Sequence, residues 1–319
     1  MDLPNCWSSE HEQQRTQASR EELVARLAQA IHDDGTTEPL DGVRLRRASA
    51  PTEIGHGVSD PSFCVIAQGS KEILLGDNRY WYDSAHYLIA TTALPIASRI
   101  AEASEERPYL SVMVTLDPVL IGSVMIEAGY VAPRSQAAVT ALDVSALDTG
   151  LLDAVVRLMR LLDAPNDAGF LAPLLKREIV YRLLRGEQRG RIAQMAALGG
   201  GTHRIAAALD WLRRDFNQQL RIEEVARELG MSVSGFHHHF RALTAMSPLQ
   251  FQKQLRLQEA RRLMLGEGLD AASAGYRVGY DDAAYFNREY KKLFGKPPMR
   301  DVEQLRDGGR ERVAGQGIV

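Results

Sequence analysis

The last third of the chain repeats itself. Phe236, Phe240, Arg241, Ala245 and Pro248 are matched fifty residues later by Phe286, Tyr290, Lys291, Gly295 and Pro298. A helix-breaking step precedes each copy, Leu229-Gly230-Met231 in the first and Val278-Gly279-Tyr280 in the second. Aromatic side chains four apart share one face of a helix, so each copy reads as a helix, a turn and a second helix packed through that pair. Two related helix-turn-helix units in one polypeptide suit two successive major grooves of DNA.

The residues around the repeat fill in both units. Thr202 can cap a helix over 203–216 with an apolar stripe of Ile205, Ala208, Leu209 and Leu212. A second helix over 222–229 ends at Gly230, which supplies a left-handed residue. A third starts at Ser232 or Val233 and runs to 243. Val225, Leu229, Val233, Phe236 and Phe240 then form a compact core, and small Ala226 lets the helices cross closely. The opposite face carries Ser234, His237 and His238, in reach of base edges, and Arg241, suited to a phosphate. Ser247-Pro248 opens a long helix to about 265 with a cap and a first-turn proline. The second unit follows with a helix over 271–278, Gly279, and a recognition helix over 282–294. Its exposed set is Ala283, Ala284, Tyr285, Asn287 and Arg288, with Lys291 and Lys292 toward the DNA backbone. Arg288 is the expected guanine reader, a contact worth about 1–3 kcal/mol.

The segment 210–306 resembles the AraC/XylS family of transcription regulators. The resemblance is carried by Val225-Ala226-Arg227-Glu228-Leu229-Gly230-Met231-Ser232, Phe236-His237-His238-His239-Phe240-Arg241, Ser247-Pro248, Arg256-Leu257, Ala260-Arg261-Arg262-Leu263-Met264, the run from Val278-Gly279-Tyr280 to Arg288-Glu289-Tyr290, and Phe294-Gly295-Lys296-Pro297-Pro298. It implies sequence-specific binding to double-stranded promoter DNA, RNA polymerase as a partner, a homodimer, and control by a small-molecule effector. Four positions depart from the family pattern. Ala245 replaces a glycine where φ > 0 is wanted, at a cost of about 1 kcal/mol. His238 stands where arginine is frequent, and Ala283 and Ala284 replace more polar residues.

The first half has a different period. Between 43 and 116 apolar residues alternate in short runs, predicting strands at 43–48, 62–68, 72–75, 79–82, 87–91, 96–101 and 109–116. Gly69-Ser70 and Gly76-Asp77-Asn78 punctuate them as hairpins. This predicts a small antiparallel barrel or sandwich. Helical spacing then marks 118–128, 147–162 and 173–184 as a helical cap. The segment 43–185 is similar, more loosely, to the cupin-type effector domain of the same family, through Cys64-Val65-Ile66-Ala67-Gln68-Gly69-Ser70-Lys71-Glu72, Gly76-Asp77, Tyr87-Leu88-Ile89, Leu94-Pro95-Ile96 and Pro108-Tyr109-Leu110. That resemblance implies a sensor for a small molecule of unspecified chemistry.

Candidate pocket residues are Arg44, Arg46, Cys64, Tyr82, Tyr87 and Arg99, with Arg47, Arg79 and Trp81 as further possibilities; the competing reading has these arginines covering the outside of the strands. Cys64 is either an electrophile sensor or a small apolar packing residue. His237, His238 and His239 are adjacent on one helix and do not face one another, and His56 and His86 lack the ligand pattern of a metal-dependent cupin. No metal, cofactor or catalytic residue is therefore expected. A cupin-type enzyme acting on a small molecule, with an accessory DNA-binding tail, is the alternative to the regulator.

Bulk properties bound this reading. The 319 residues allow two domains. Residues 202–319 hold 19 Lys and Arg against 15 Asp and Glu, a charge of +4, and the remainder carries −7 within a total of −3. A basic second part fits DNA. Cys6 and Cys64 form no disulfide framework or metal motif, and residues 1–20 lack the apolar segment of a secretion signal. No stretch approaches the roughly 20 apolar residues of a membrane span. A cytoplasmic protein is expected. The expected order is an α+β chain: a polar leader, poorly ordered to residue 20, and short helix over 1–40; an N-terminal antiparallel β-barrel, cupin-like with a helical cap, over 41–190; a Gly-rich linker over 191–201 at Gly199-Gly200-Gly201; an all-α tandem helix-turn-helix domain over 202–306; and a flexible tail over 307–319.

Overall fold

The structure, a computed structural model, describes residues 5–130, 140–196 and 201–314, with side chains over 11–130, 140–196 and 204–307. The chain folds as two compact units, residues 1–55 with 59–203 in the first and residues 204–319 with 56–58 in the second.

The first unit opens with helix α1 (Asn5–Ala30) and ten strands, β1 (Gly35–Leu40), β2 (Val43–Ala48), β3 (Gly55–Ser59), β4 (Ser62–Gln68), β5 (Ser70–Leu75), β6 (Asn78–Asp83), β7 (His86–Ala90), β8 (Leu94–Glu102), β9 (Tyr109–Thr115) and β10 (Leu142–Ala146). One sheet has the order β1-β2-β9-β4-β7-β10 and the other β3-β8-β5-β6. Pairing is antiparallel throughout the six-stranded sheet and through β8-β5-β6. The α+β class and antiparallel β fold expected from the sequence are present, with the strands distributed over two sheets.

Helices α2 (Pro118–Glu127), α3 (Thr149–Arg160), α4 (Pro165–Arg185) and α5 (Arg189–Ala196) complete the unit. Asp117 caps α2 by accepting from the Val119 N–H, with Pro118 in the first turn, and Asp148 caps α3 through the Leu151 N–H. One face of the six-stranded sheet carries Val43, Leu45, Phe63, Val65, Val112 and Val114. It shares a buried core with Leu23 and Leu27 of α1 and with Leu151, Leu152, Val155 and Leu158 of α3. Each such side chain contributes about 1.5–3 kcal/mol. Two bidentate ion pairs tie the helices outside that core: Arg160 to Glu22 at 2.8 and 2.7 Å, and Arg157 to Glu178 at 2.7 Å twice.

Several boundaries differ from expectation. The polar leader is helical from Asn5, because Leu23, Leu27 and Ile31 bury a stripe that anchors α1. Strand β1 falls inside the expected 1–40 segment; its sequence, Gly-Thr-Thr-Glu-Pro-Leu, has almost no apolar alternation and is held by pairing with β2. The expected linker at 191–196 is helix, since Ile192 and Ala193 of α5 are buried in the first unit's core. Gly199 and Gly200 lie outside the described residues. On α4, Ile179 and Leu183 are buried, whereas Leu174 and Tyr181 are 50% and 39% exposed.

The second unit holds α6 (Gly201–Arg214), α7 (Ile222–Glu228), α8 (Val233–Thr244), α9 (Pro248–Gly266), α10 (Ala271–Arg277), α11 (Ala283–Phe294) and α12 (Pro298–Ala314). Helix α12 takes in 307–314 of the expected flexible tail; 315–319 lie outside the described residues. Ile205, Ala208, Leu209 and Leu212 of α6 are buried, as are Val225, Ala226, Phe236 and Phe240. The Phe236 and Phe240 rings lie 5.5 Å apart, and Phe240 meets Phe251 of α9 edge-on at 5.5 Å. Val233 is not in this core: it is the first residue of α8 and is 39% exposed.

Candidate nucleic-acid interface and effector pocket

The two recognition helices are built alike. Ser232 caps α8 by accepting from the Gly235 N–H at 3.1 Å, and Asp282 caps α11 by accepting from the Ala284 N–H at 2.7 Å. The preceding turns pass through left-handed glycines, Gly230 at φ 62° and Gly279 at φ 90°. At their far ends Ala245 and Gly295 are left-handed too, at 57° and 79°. Each helix buries one aromatic pair, Phe236 with Phe240 and Phe286 with Tyr290.

The opposite faces are open. On α8, Ser234, His238 and Arg241 are exposed and His237 is half-buried. Their spacing of three and four residues puts them on one face. On α11, Ala284, Tyr285, Asn287, Arg288, Lys291 and Lys292 are all exposed. The Arg288 guanidinium lies 5.8 Å from the Tyr285 ring centroid, a cation–π contact that limits the conformations of the arginine. Neighbouring Glu289 is drawn to Lys253 of α9 at 2.5 Å. The basic side chains of α11 thus keep their charge for a partner.

Within the second unit, Arg256 of α9 organises the join between the two helix-turn-helix halves and was not singled out from the sequence as more than a family-pattern residue. Its guanidinium donates to the carbonyls of Phe216 at 2.7 Å, Gln218 at 2.8 Å and Gly279 at 2.8 Å. Gln252, one turn earlier, donates to the same Phe216 and Gln218 carbonyls at 2.9 and 2.7 Å. The turn after α6 and the turn before α11 are therefore both fastened to α9. Further along, Arg261 grips Asp301 of α12 with two 2.8 Å bonds, and the Tyr290 hydroxyl donates to the same carboxylate at 2.7 Å.

The six candidate pocket residues separate into two sets. In β2, β9 and β4 the register places Arg46 opposite Ser111, Arg44 opposite Met113, and Cys64 opposite Met113. These share the sheet face turned away from the helices. Tyr82 of β6 hydrogen-bonds Tyr109 of β9 across the two sheets. Arg44, Arg46, Cys64 and Tyr82 therefore face the space between the sheets. Burial pushes the Cys64 thiol up, and its Sγ lies 3.7 Å from the Ser62 hydroxyl as donor. It is a thiol at neutral pH, the opposite of the thiolate that an electrophile sensor needs.

Tyr87 and Arg99 are elsewhere. Tyr87 is buried among the residues facing the helices, with its ring 5.4 Å from that of Phe63. Burial raises its pKa to about 12. Arg99 projects from the outer face of the second sheet and donates to Glu72 at 2.6 Å; Arg79 pairs with the same carboxylate, and Trp81 beside it is 49% exposed. Arg47 lies near Asp34 at 3.7 Å. The inter-sheet face also holds Lys71 and Tyr109, which sequence reasoning did not select. Lys71 alternates with Ile73 and Leu75 along β5, and a lysine in phase with buried residues was the visible signal. Among the described residues no group of three or more His, Cys, Asp or Glu is placed to hold a metal ion.

Two capped recognition helices, one on each side of α9, in a chain that also carries a two-sheet β unit, define a tandem helix-turn-helix protein with an attached ligand-domain fold. The family comparisons agree. Residues 39–191 match the AraC-type transcriptional regulator N-terminus and residues 225–304 match a helix-turn-helix domain. The chain belongs to the AraC family of transcriptional regulators. The HTH-type transcriptional activator RhaS of Escherichia coli O1:K1 is 26% identical over 158 residues, half of this chain; the matched stretch spans only 56% of RhaS. ToxT of Vibrio cholerae O395, solved with (E)-4-(8-methylnaphthalen-1-yl)but-3-enoic acid, superposes with a TM-score of 0.54 over 82% of this chain and 98% of its own, at 13% identity. ToxT of strain SCE256, solved with an unsaturated fatty acid, gives 0.51 over 82% and 94%, at 10% identity. At those identities the likeness is one of fold. No helix among the described residues is long and apolar enough to cross a membrane.

Proposed function

We propose that this protein is a sequence-specific transcription regulator that acts in the cytoplasm on promoter DNA under the control of a small molecule bound in its first unit. The observation that carries the reading is the matched pair of recognition helices, each capped at both ends and each exposing a polar face opposite a buried aromatic pair. Ser234, His237 and His238 read bases from α8; Ala284, Tyr285, Asn287 and Arg288 read them from α11. Arg241, Lys291 and Lys292 neutralise phosphates, which fix register but carry no sequence information.

The effector site is the space between the sheets, lined in part by Arg44, Arg46, Cys64 and Tyr82. That ToxT has been solved with small organic acids supports a ligand-binding role for this fold. The activator name of RhaS supports a transcriptional outcome, with RNA polymerase as the protein partner. Self-association is supported by apolar side chains left in the open on α2 and α4: Val119 is 79% exposed, Ile126 82% and Phe170 76%.

Selection of bound sequences from a random DNA pool, with the full chain at physiological salt, tests the reading. Two short motifs about ten base pairs apart are expected, one per recognition helix. Recovery of no motif, with or without small-molecule extract added, would overturn it.

A further inference from the structure

Six lysine and arginine side chains stand on the strands of the first unit, and four have a carboxylate. Arg44 pairs with Asp60 at 2.9 Å, Arg47 lies 3.7 Å from Asp34, and Arg79 and Arg99 share Glu72. The other two are Arg46 and Lys71. Among the described residues neither has a carboxylate within ion-pair distance; both stand on the strand faces turned toward the other sheet, Lys71 half-buried and Arg46 exposed. Arg46 is opposite Ser111. Lys71 is opposite Tyr82, whose hydroxyl reaches Tyr109 on the facing sheet. Lys71 and Cys64 lie deep between the sheets yet keep accessible surface. The neighbouring wall is apolar, with Ile66, Ile73 and Ile100 almost fully buried.

We infer that this space binds an organic monoanion, a carboxylate on an apolar body, with Lys71 as its principal counter-ion and Arg46 as the second. A buried ammonium without a counter-charge is costly. The acidic groups facing it cannot serve: burial holds the Cys64 thiol and the Tyr82 and Tyr109 phenols in their neutral forms. Burial also lowers the pKa of Lys71, with Arg46 adding to the effect and Cys64 opposing it. An entering carboxylate reverses that cost and accepts hydrogen bonds from the ammonium. Apolar walls set its other end. This assignment rests on the effector-site reading above and narrows it to a charge class.

Titration calorimetry of the full chain with phenylacetate and octanoate, each against its neutral amide, tests it. Saturable binding of at least one acid, about tenfold or more tighter than its amide, is expected. Lys71→Met should weaken acid binding about tenfold or more, and Lys71→Arg should retain the preference for acid. Acid affinity should fall as pH rises and Lys71 loses its proton, earlier than an ordinary lysine because burial lowers its pKa, a fall that Lys71→Arg removes. Equal binding of acid and amide, or no saturable binding of either acid, overturns the inference using the unmodified protein alone. A folded Lys71→Met variant that binds acid like the parent overturns it too. DNA selection separates the two readings: a chain that selects a motif but ignores acids loses the anion site alone, and one that binds acids but selects no motif loses the regulator reading alone.

Discussion

Ala245 and Gly295 end the two recognition helices in the same left-handed conformation, at φ 57° and 79°, each with its N–H bonded to the carbonyl four residues back. Ala245 is the only non-glycine residue at positive φ among those described. A Cβ there is strained by about 1–2 kcal/mol, partly offset because alanine restricts the unfolded chain. Ala245→Gly should therefore stabilise the second unit by about 0.5–1 kcal/mol. Denaturant unfolding followed by the protection of α8 amides measures this; an unchanged or lower stability would show that the strain is relieved elsewhere.

The glycines that open the two recognition units are not equivalent. A Cβ on Gly230 meets nothing closer than Arg204 Nη1 at 3.8 Å, whereas one on Gly279 would overlap the Asn217 carbonyl oxygen. Gly230→Ala should cost only the left-handed penalty, about 1–2 kcal/mol. Gly279→Ala should cost more, about 3 kcal/mol or above, because backbone must move as well. It should also disturb the Arg256 bonds that fasten this turn to α9. Comparing the two unfolding midpoints tests the difference, and equal losses would contradict it.

Glu22 links the first unit's stability to acid. Hydrogen bonds from Arg160, then from Arg26, hold its carboxyl down at about 2 from an ordinary 4.5. A depressed folded pKa gives a contribution that is full above 4.5 and is lost as pH falls through about 2. Hydrogen exchange of α1 in the full chain should thus accelerate across that window. Glu22→Gln should exchange faster at pH 7 and show a smaller change between 4.5 and 2. A variant with the parent's pH profile would remove Glu22 from the account.

On the DNA side, Arg288 and Lys291 should fail differently. Arg288→Ala should lose about 1–3 kcal/mol of discrimination at one position of one half-site. Lys291→Ala should weaken all sequences alike and lower the salt slope by about 1. Binding to a selected operator and to single-base variants, at several salt concentrations, distinguishes them. Normal discrimination by Arg288→Ala would move guanine reading to another side chain.

Much of this was legible from local pattern. The aromatic pair repeated at fifty residues marks both recognition helices because a helix puts residues four apart on one face regardless of its surroundings. Strands β2 and β4 begin and end where alternation predicts. Strand β1 was missed because Gly-Thr-Thr-Glu-Pro-Leu carries no apolar phase and exists as a strand only through its partner. Helix α5 was missed for a related reason: Arg-Gly-Arg-Ile-Ala reads as linker until Ile192 finds a core to enter.

The division is clearest in the pocket. The sequence by itself determined that Tyr82, Tyr87 and Arg99 lie on strands, since period two is a property of the backbone; Lys71 falls just outside the strand expected at 72–75. It also determined the left-handed turn at Gly230 and the cap at Ser247, which depend on neighbours a few residues away. Only the tertiary structure decided which phase of each strand looks between the sheets. Tyr87 went to the helical core, Arg99 to Glu72 outside, and Lys71 to the interior without a carboxylate. Alternation separates two faces of a strand but carries no sign. The sign comes from what packs on each face, and those partners are brought there by contacts tens to more than a hundred residues apart in the chain.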